Sequence, residues 1–88
     1  MEEGRRQEAL KRLNYIEGHI QGIKKMVEAD RYCVDVLKQT FAVRKAIERL
    51  ESLILSGHLH TCVPKGIKDG LEEKVITELI DLYNLAEK

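Results

Sequence analysis

One long amphipathic pattern, from about residue 33 to 61, constrains the fold of this chain more than any other feature. Its apolar residues recur at helical spacing in a stripe wide enough to indicate burial on more than one side. At 1.5 Å per residue this helix is roughly 43 Å long, so it would protrude from a monomer of 88 residues. The pattern therefore favours a bundle built from two copies of the chain. The stripe consists of Val36, Leu37, Phe41, Val43, Ile47, Leu50, Leu53 and Ile54.

Two further helices are predicted, one on each side of this long helix. The first spans about residues 5–29 and carries a heptad seam, with apolar residues at alternating steps of three and four. Pro64 and Gly66 are expected to end the middle helix, and the last helix spans about residues 70–86. We predict a single all-α domain over residues 1–88, whose hairpins pair antiparallel into a four-helix-bundle dimer. The seam consists of Leu13, Ile16, Ile20, Ile23 and Val27.

Composition and charge exclude several classes of function. No stretch approaches the roughly 20 apolar residues that a membrane span needs, and no apolar leader precedes the N-terminal charges, so we expect a cytoplasmic protein. In that reducing compartment two cysteines indicate metal binding or redox chemistry rather than a structural disulfide. The net charge is zero, with 11 Lys/Arg against 8 Asp/Glu in residues 1–49 and 4 against 7 in the remainder. The sequence shows no set of a nucleophile, a base and an orienting group. We therefore expect neither an enzyme nor a small-molecule substrate.

Three potential soft ligands have a spacing that predicts an assembly as well as a metal site. His58 and Cys62 are four residues apart and share one helical face. Cys33 precedes His58 by 25 residues, which is roughly 37 Å along a straight helix. Within one subunit the three residues cannot meet unless the helix breaks. They can meet if two copies of the helix lie antiparallel, with Cys33 of one subunit facing His58 and Cys62 of the other. Symmetry then gives two sites per dimer. His60 points away from this face and is expected to be a bystander.

Two thiolates and one imidazole form a soft donor set of low coordination number. Such a set favours copper(I) and also suits zinc(II). We favour copper(I), because zinc would require a fourth ligand. A simpler interpretation stays open for each residue, since a helical cysteine is often a small buried hydrophobe and a histidine near a helix C-terminus often serves the helix dipole.

Three motifs cover nearly the whole chain and carry a family resemblance: RLNYIEGHIQGIKKMVE, YCVDVLKQTFAVRKAIERL and HLHTCV. They resemble the CsoR/RcnR family of bacterial metal-sensing repressors, and within it the copper-sensing branch. A histidine in place of Cys62 would resemble the nickel/cobalt branch or some other copper sensors. A residue other than histidine at position 58 would resemble the persulfide-sensing branch. Neither departure is present here.

The resemblance implies residues that support the metal site. Tyr32 and Glu78 match the tyrosine and the glutamate that link to the ligating histidine in the copper branch. The role is physically reasonable, because a metal-bound imidazole usually donates its other N–H to a carboxylate or a similar acceptor. On this basis copper(I) binding would shift the helices through a network of His58, Glu78 and Tyr32.

The resemblance also implies a DNA-binding tetramer, assembled as a dimer of dimers. Arg12 and Arg49 match the family's DNA-contacting arginines, and Lys11, Arg44 and Lys45 are plausible neighbours on that face. The metal-free form would bind operator DNA, and copper(I) would release it to derepress copper-efflux genes. Two alternatives remain open at this point. One is a thiol or persulfide sensor of the same fold that crosslinks its cysteines, and the other is a copper-buffering module without DNA binding.

Overall fold

The computed structural model describes all 88 residues, and nearly all of them are helical. The chain contains no strand, which confirms the predicted all-α class. The molecule is elongated and flat, with principal extents of 55 × 30 × 14 Å. The elements in chain order are α1 (Glu3–Glu28), α2 (Cys33–Gly57), a π-helical turn (His58–Cys62), α3 (Val63–Lys68) and α4 (Glu72–Ala86).

Helices α1 and α2 form an antiparallel hairpin whose small core repeats every seven residues. Ala9 and Ile16 of α1 pack with Val43 and Leu50 of α2, and Ile23 lies partly buried against them. Residues seven apart fall on nearly the same side of a helix, so each helix presents one line of apolar contacts to the other. Of the five residues of the predicted seam, Ile16 and Ile23 therefore contribute to this core.

Polar bonds across the hairpin fix its register. The Arg12 guanidinium donates to the carbonyl of Arg49 at 3.2 Å. Nearer the turn, His19 Nε2 donates to Gln39 Oε1 at 2.7 Å. The first bond joins the first half of α1 to the second half of α2, and the second bond joins the second half of α1 to the first half of α2. Only an antiparallel arrangement of the two helices allows both bonds.

The turn between the two helices begins where the sequence predicts. Asp30 adopts a left-handed conformation with φ of 55°, and the amide of Arg31 donates to the carbonyl of Met26 at 2.9 Å. A left-handed residue followed by an amide that bonds to the carbonyl five residues back ends a helix and satisfies its last carbonyls. The chain can then reverse direction and begin α2 at Cys33.

The predicted end of the middle helix is wrong, because the helix continues through Pro64 to Lys68. In a regular α-helix the proline ring would clash with the carbonyl four residues back. Here a π-helical turn lies directly before it, and the Val63 amide bonds to the carbonyl of His58, five residues back. The wider turn rearranges the hydrogen bonds upstream of the proline. Pro64 then occupies the first turn of α3, where its missing N–H is tolerated.

Helix α4 folds back on α3 at a glycine. A Cβ placed on Gly66 would lie 2.6 Å from Val75 Cγ2, so only a bare backbone allows this approach. Val75 is the one buried residue of α4. Most of the other apolar side chains of α4 are exposed, among them Ile76, Ile80 and Tyr83.

Most of the apolar surface of the chain has no partner within it. Only 6 of 88 residues are buried, although a chain of this kind needs a continuous core. Leu13, Ile20 and Val27, the other half of the α1 seam, are exposed by 39%, 48% and 60%. None of the helices combines the length and the hydropathy that a membrane-spanning segment requires.

Substitution of Gly66 tests the packing of α4. We expect Gly66→Ala to lower the free energy of unfolding by about 1–3 kcal/mol, the usual cost of overpacking. Thermal and urea unfolding followed by circular dichroism would measure it. Gly4→Ala is the matched control, because a Cβ there meets only Glu2 Oε1 at 3.4 Å. An equal effect of the two substitutions would contradict the assigned contact.

Candidate metal centre and cationic groove

The three predicted ligands lie at opposite ends of one helical rod. Cys33 is the first residue of α2 and is exposed. His58 and Cys62 are the first and last residues of the π-helical turn, where His58 is half-buried and Cys62 is exposed. Because the backbone stays helical between them, Cys33 is separated from His58 by roughly 37 Å.

The π-helical turn places its own side chains against the backbone of α2. The hydroxyl of Thr61 donates to the carbonyl of Gly57 at 2.7 Å. The ring nitrogen Nδ1 of His60 donates to the carbonyl of Ser56, also at 2.7 Å. His60 is thus engaged with the backbone of its own helix. Single-turn π insertions of this kind occur frequently at functional sites.

No metal site is complete within one chain. Nowhere do three or more His, Cys, Asp or Glu side chains come together closely enough to hold an ion. Tyr32 lies beside Cys33 at the far end of the rod and is 68% exposed. Glu78 lies on α4 and is also exposed. Neither of them forms a side-chain hydrogen bond with His58 in the chain, so the predicted network is not assembled by a single subunit.

The donor chemistry nevertheless fits a soft metal ion. Both thiols are free and accessible. His58 and Cys62, four residues apart, stay within one turn of each other in a π-helix as in an α-helix. Two sulfur donors and an imidazole match the preference of copper(I). Cys33 and Cys62 are exposed and His58 is only half-buried, so all three can be reached by a second subunit.

A cationic groove lies between α1 and α2. Its volume is about 780 Å³, and Lys11, Arg12 and Arg49 all line it. Glu8 lies in the same groove and pairs with Arg12 at 3.2 Å. Both partners are about two-fifths exposed, so the pair is worth little to stability and the guanidinium remains available to an anion. The structure therefore brings together three of the five predicted DNA-contacting residues.

The other two predicted DNA contacts lie outside this groove. The Arg44 guanidinium is positioned over the Phe41 ring, 5.6 Å from its centroid. Lys45 is exposed and lies 3.9 Å from Glu48. Nothing within the chain joins either residue to the groove.

Sequence reasoning did not include three hydroxyl groups that line the groove, those of Tyr15, Ser52 and Ser56. Their positions continue the helical spacing of the basic residues. Tyr15 follows Arg12 by three residues, and Ser52 and Ser56 follow Arg49 by three and seven. This helical spacing is the sequence signal from which the three hydroxyl groups could have been predicted.

Comparisons with known proteins identify relatives of this chain. Residues 5–84 match a family described as metal-sensitive transcriptional repressor. The chain is 47% identical over 73 residues to the copper-sensing transcriptional repressor CsoR of Mycobacterium tuberculosis (strain ATCC 25618 / H37Rv), covering 83% of this chain and 61% of that protein. It is 47% identical over 72 residues to CsoR of Bacillus subtilis (strain 168), covering 82% and 71%.

A solved structure is similar over the whole chain. The crystal structure of the copper-sensing repressor CsoR with Cu(I) from Geobacillus thermodenitrificans NG80-2 matches with a TM-score of 0.92 and 35% identity. The match covers 100% of this chain and 92% of that chain. The arrangement of α1, the continuous rod from α2 to α3, and α4 is therefore a fold already known in a copper-sensing repressor.

The chain belongs to the family of metal-sensitive transcriptional repressors. This confirms the resemblance carried by the three sequence motifs, and it assigns the chain to a class of regulatory proteins rather than enzymes. The chain spans 61% of the length of the mycobacterial relatives that it matches.

The separation of the two cysteines predicts the product of oxidation. A disulfide requires Cα atoms within about 7 Å, whereas 29 helical residues span roughly 43 Å. We expect diamide to give a covalent dimer on a non-reducing gel and no bridge within a chain. Cys33→Ser is expected to lose the Cys33–Cys62 bridge, which peptide mass mapping would identify. A bridge within a monomer would contradict the continuous helix.

Proposed function

We propose that this chain is a copper(I)-responsive transcriptional repressor. In its metal-free form it binds operator DNA, and copper(I) binding at a site shared between two subunits releases the DNA and derepresses copper-efflux genes. The observation that carries the proposal is the division of one soft donor set between the two ends of a continuous helix. The names of its relatives, copper-sensing repressors at 47% identity, support the choice of metal.

The proposed assembly is an antiparallel four-helix-bundle dimer, and two dimers form a tetramer. Its support is the unpartnered half of the α1 seam and the exposed apolar residues Leu37, Phe41 and Ile47 of α2. Burial of apolar surface contributes about 25 cal/mol per Å², so these faces favour association strongly. A two-fold axis also brings the start of one α2 to the end of the other.

In this dimer Cys33 of one subunit joins His58 and Cys62 of the other. Bound copper(I) would be held by two thiolates and one imidazole. Tyr32 arrives with its neighbour Cys33, and Glu78 supplies an acceptor for the free N–H of the His58 ring. Such an acceptor fixes the orientation of a ligating imidazole. The response to metal thus involves both subunits and α4.

The proposed DNA contacts are Lys11, Arg12 and Arg49 of the groove, with Arg44 and Lys45 on the neighbouring surface of α2. Arginine and lysine bind phosphate oxygens through charge-assisted hydrogen bonds. One chain has no net charge, yet four subunits can collect their grooves into a continuous basic surface. Action on DNA and the need for reduced thiols both favour a cytoplasmic location.

Operator affinity with and without copper(I) tests the proposed function. A fluorescein-labelled duplex, selected from a random library by the metal-free protein, would be titrated anaerobically and followed by fluorescence anisotropy. We expect copper(I) to weaken binding about 5- to 150-fold, the usual range of allosteric coupling. His58→Ala should retain much of the copper affinity through two thiolates and lose more of the coupling. Unchanged DNA affinity on copper addition would exclude copper-gated repression.

A charge-reversal variant separates repression from copper buffering. Arg12→Glu combined with Arg49→Glu is expected to abolish DNA binding while copper binding persists. If this variant still binds DNA, neither arginine belongs to the DNA-binding interface. If no duplex binds the unmodified protein in any form, the buffering function is favoured.

Mixed dimers test whether the metal site is shared. Neither Cys33→Ser nor Cys62→Ser alone leaves a complete site. After equal amounts of the two variants are unfolded and refolded together, half of the dimers contain one subunit of each variant. Each mixed dimer regains one of its two metal sites. About a quarter of the copper-binding capacity of the unmodified protein should therefore return. Competition with a chromophoric copper(I) chelator would measure it. A site contained within one subunit would give no recovery.

A further inference from the structure

The first turn of α1 packs on the residue that directly precedes His58. Gly57 is buried, and a Cβ placed on it would lie 2.8 Å from Arg5 Cδ and 3.3 Å from Arg5 Nη1. The Arg5 side chain therefore lies on bare helix backbone. A Cβ at position 57 would force the flexible Arg5 side chain to shift away from this surface.

This stretch of backbone belongs to the metal-ligand segment. Gly57 is the last residue of α2, and the π-helical turn begins at the next residue. Its carbonyl accepts the hydrogen bond from Thr61, and the carbonyl of Ser56 accepts the one from His60. A change in the winding of the turn must move these carbonyls and with them the surface under Arg5.

Arg5 also lies on the side of α1 that forms the cationic groove. Glu8 and Arg12 follow it at steps of three and four, so the three side chains occupy one face of a rigid helix. Glu8 and Arg12 line the groove, and so does Ser56, the neighbour of Gly57. The groove thus ends where Arg5 meets the ligand segment.

We propose that Arg5 is a positioning residue that couples the metal-ligand segment to the DNA-binding groove, with Gly57 as its contact surface. The inference rests on the proposed function and adds the route by which the two sites communicate within a subunit. Metal binding at His58 and Cys62 alters the π-helical turn, the Gly57 surface shifts, and Arg5 moves α1 against α2. The groove then no longer presents Arg12 and Arg49 in the arrangement that DNA requires.

Three single substitutions separate contact from charge. Arg5→Ala removes both the contact and one positive charge. Gly57→Ala displaces the Arg5 side chain and keeps its charge. Arg6→Ala is the matched control: Arg6 is exposed and pairs with Glu3 at 3.3 Å, so its loss removes one charge and leaves the contact intact.

The measured quantity is the ratio of operator dissociation constants with and without copper(I), from the anisotropy titration described above. We expect Arg5→Ala and Gly57→Ala each to bring this ratio closer to 1, by a factor within the roughly 2- to 30-fold range for residues that carry coupling. Arg6→Ala should leave the ratio unchanged and weaken both forms equally. The double variant Arg5→Ala/Gly57→Ala should match the single ones, because both remove one contact.

Amide hydrogen exchange provides a readout that does not depend on DNA. Copper(I) should change the protection of residues 3–12 in the unmodified protein and in Arg6→Ala, and leave it unchanged in Arg5→Ala. If Arg5→Ala behaves like Arg6→Ala in both measurements, Arg5 is a phosphate contact at most and the inference is overturned while the proposed function stands. If copper(I) leaves the DNA affinity of the unmodified protein unchanged, the proposed function itself fails.

Discussion

The unbroken helix from Cys33 to Lys68 governs the other properties of this chain. A helix rises 1.5 Å per residue and cannot fold back on itself, so it keeps Cys33 far from His58 and Cys62 while α1 covers only one of its sides. The π-helical turn preserves this continuity at the point where Pro64 would otherwise interrupt it. The π-helical turn that accommodates Pro64 thus also contains His58 and Cys62, two of the three proposed ligands.

Burial of apolar surface and completion of the metal site have the same physical requirement. With only 6 of 88 residues buried, the hairpin is too small to supply a stable core. The donor set is likewise incomplete in one chain. A second copy, placed antiparallel, would satisfy both needs together. An ion bound at such a site would report directly on the geometry of the subunit interface, which is a sound basis for a sensor.

Proximity along the chain connects the two proposed functional regions. Ser56 lines the cationic groove, Gly57 supports Arg5, and His58 begins the π-helical turn. These consecutive residues belong to different environments because successive side chains on a helix point about 100° apart. A small change in helical winding at this point therefore affects a metal ligand, an interhelical contact and the end of the groove together. The metal-ligand segment and the end of the cationic groove are therefore adjacent within the subunit, and coupling between them need not extend along the whole helix.

The sequence by itself determined the helical class, the antiparallel hairpin and the separation of the ligands, because periodicity and spacing are local properties of the chain. The family was indicated by the resemblance of three motifs that cover nearly the whole chain. Tertiary structure decided the rest. It carried the helix past Pro64, since the proline's steric clash is relieved by a backbone rearrangement that no residue pattern reveals. It placed Lys11, Arg12 and Arg49 in one groove and left Arg44 and Lys45 outside it, because the side that a basic residue faces depends on how α1 packs. It also brought Arg5 to Gly57, a contact between residues 52 positions apart that only the packed hairpin creates.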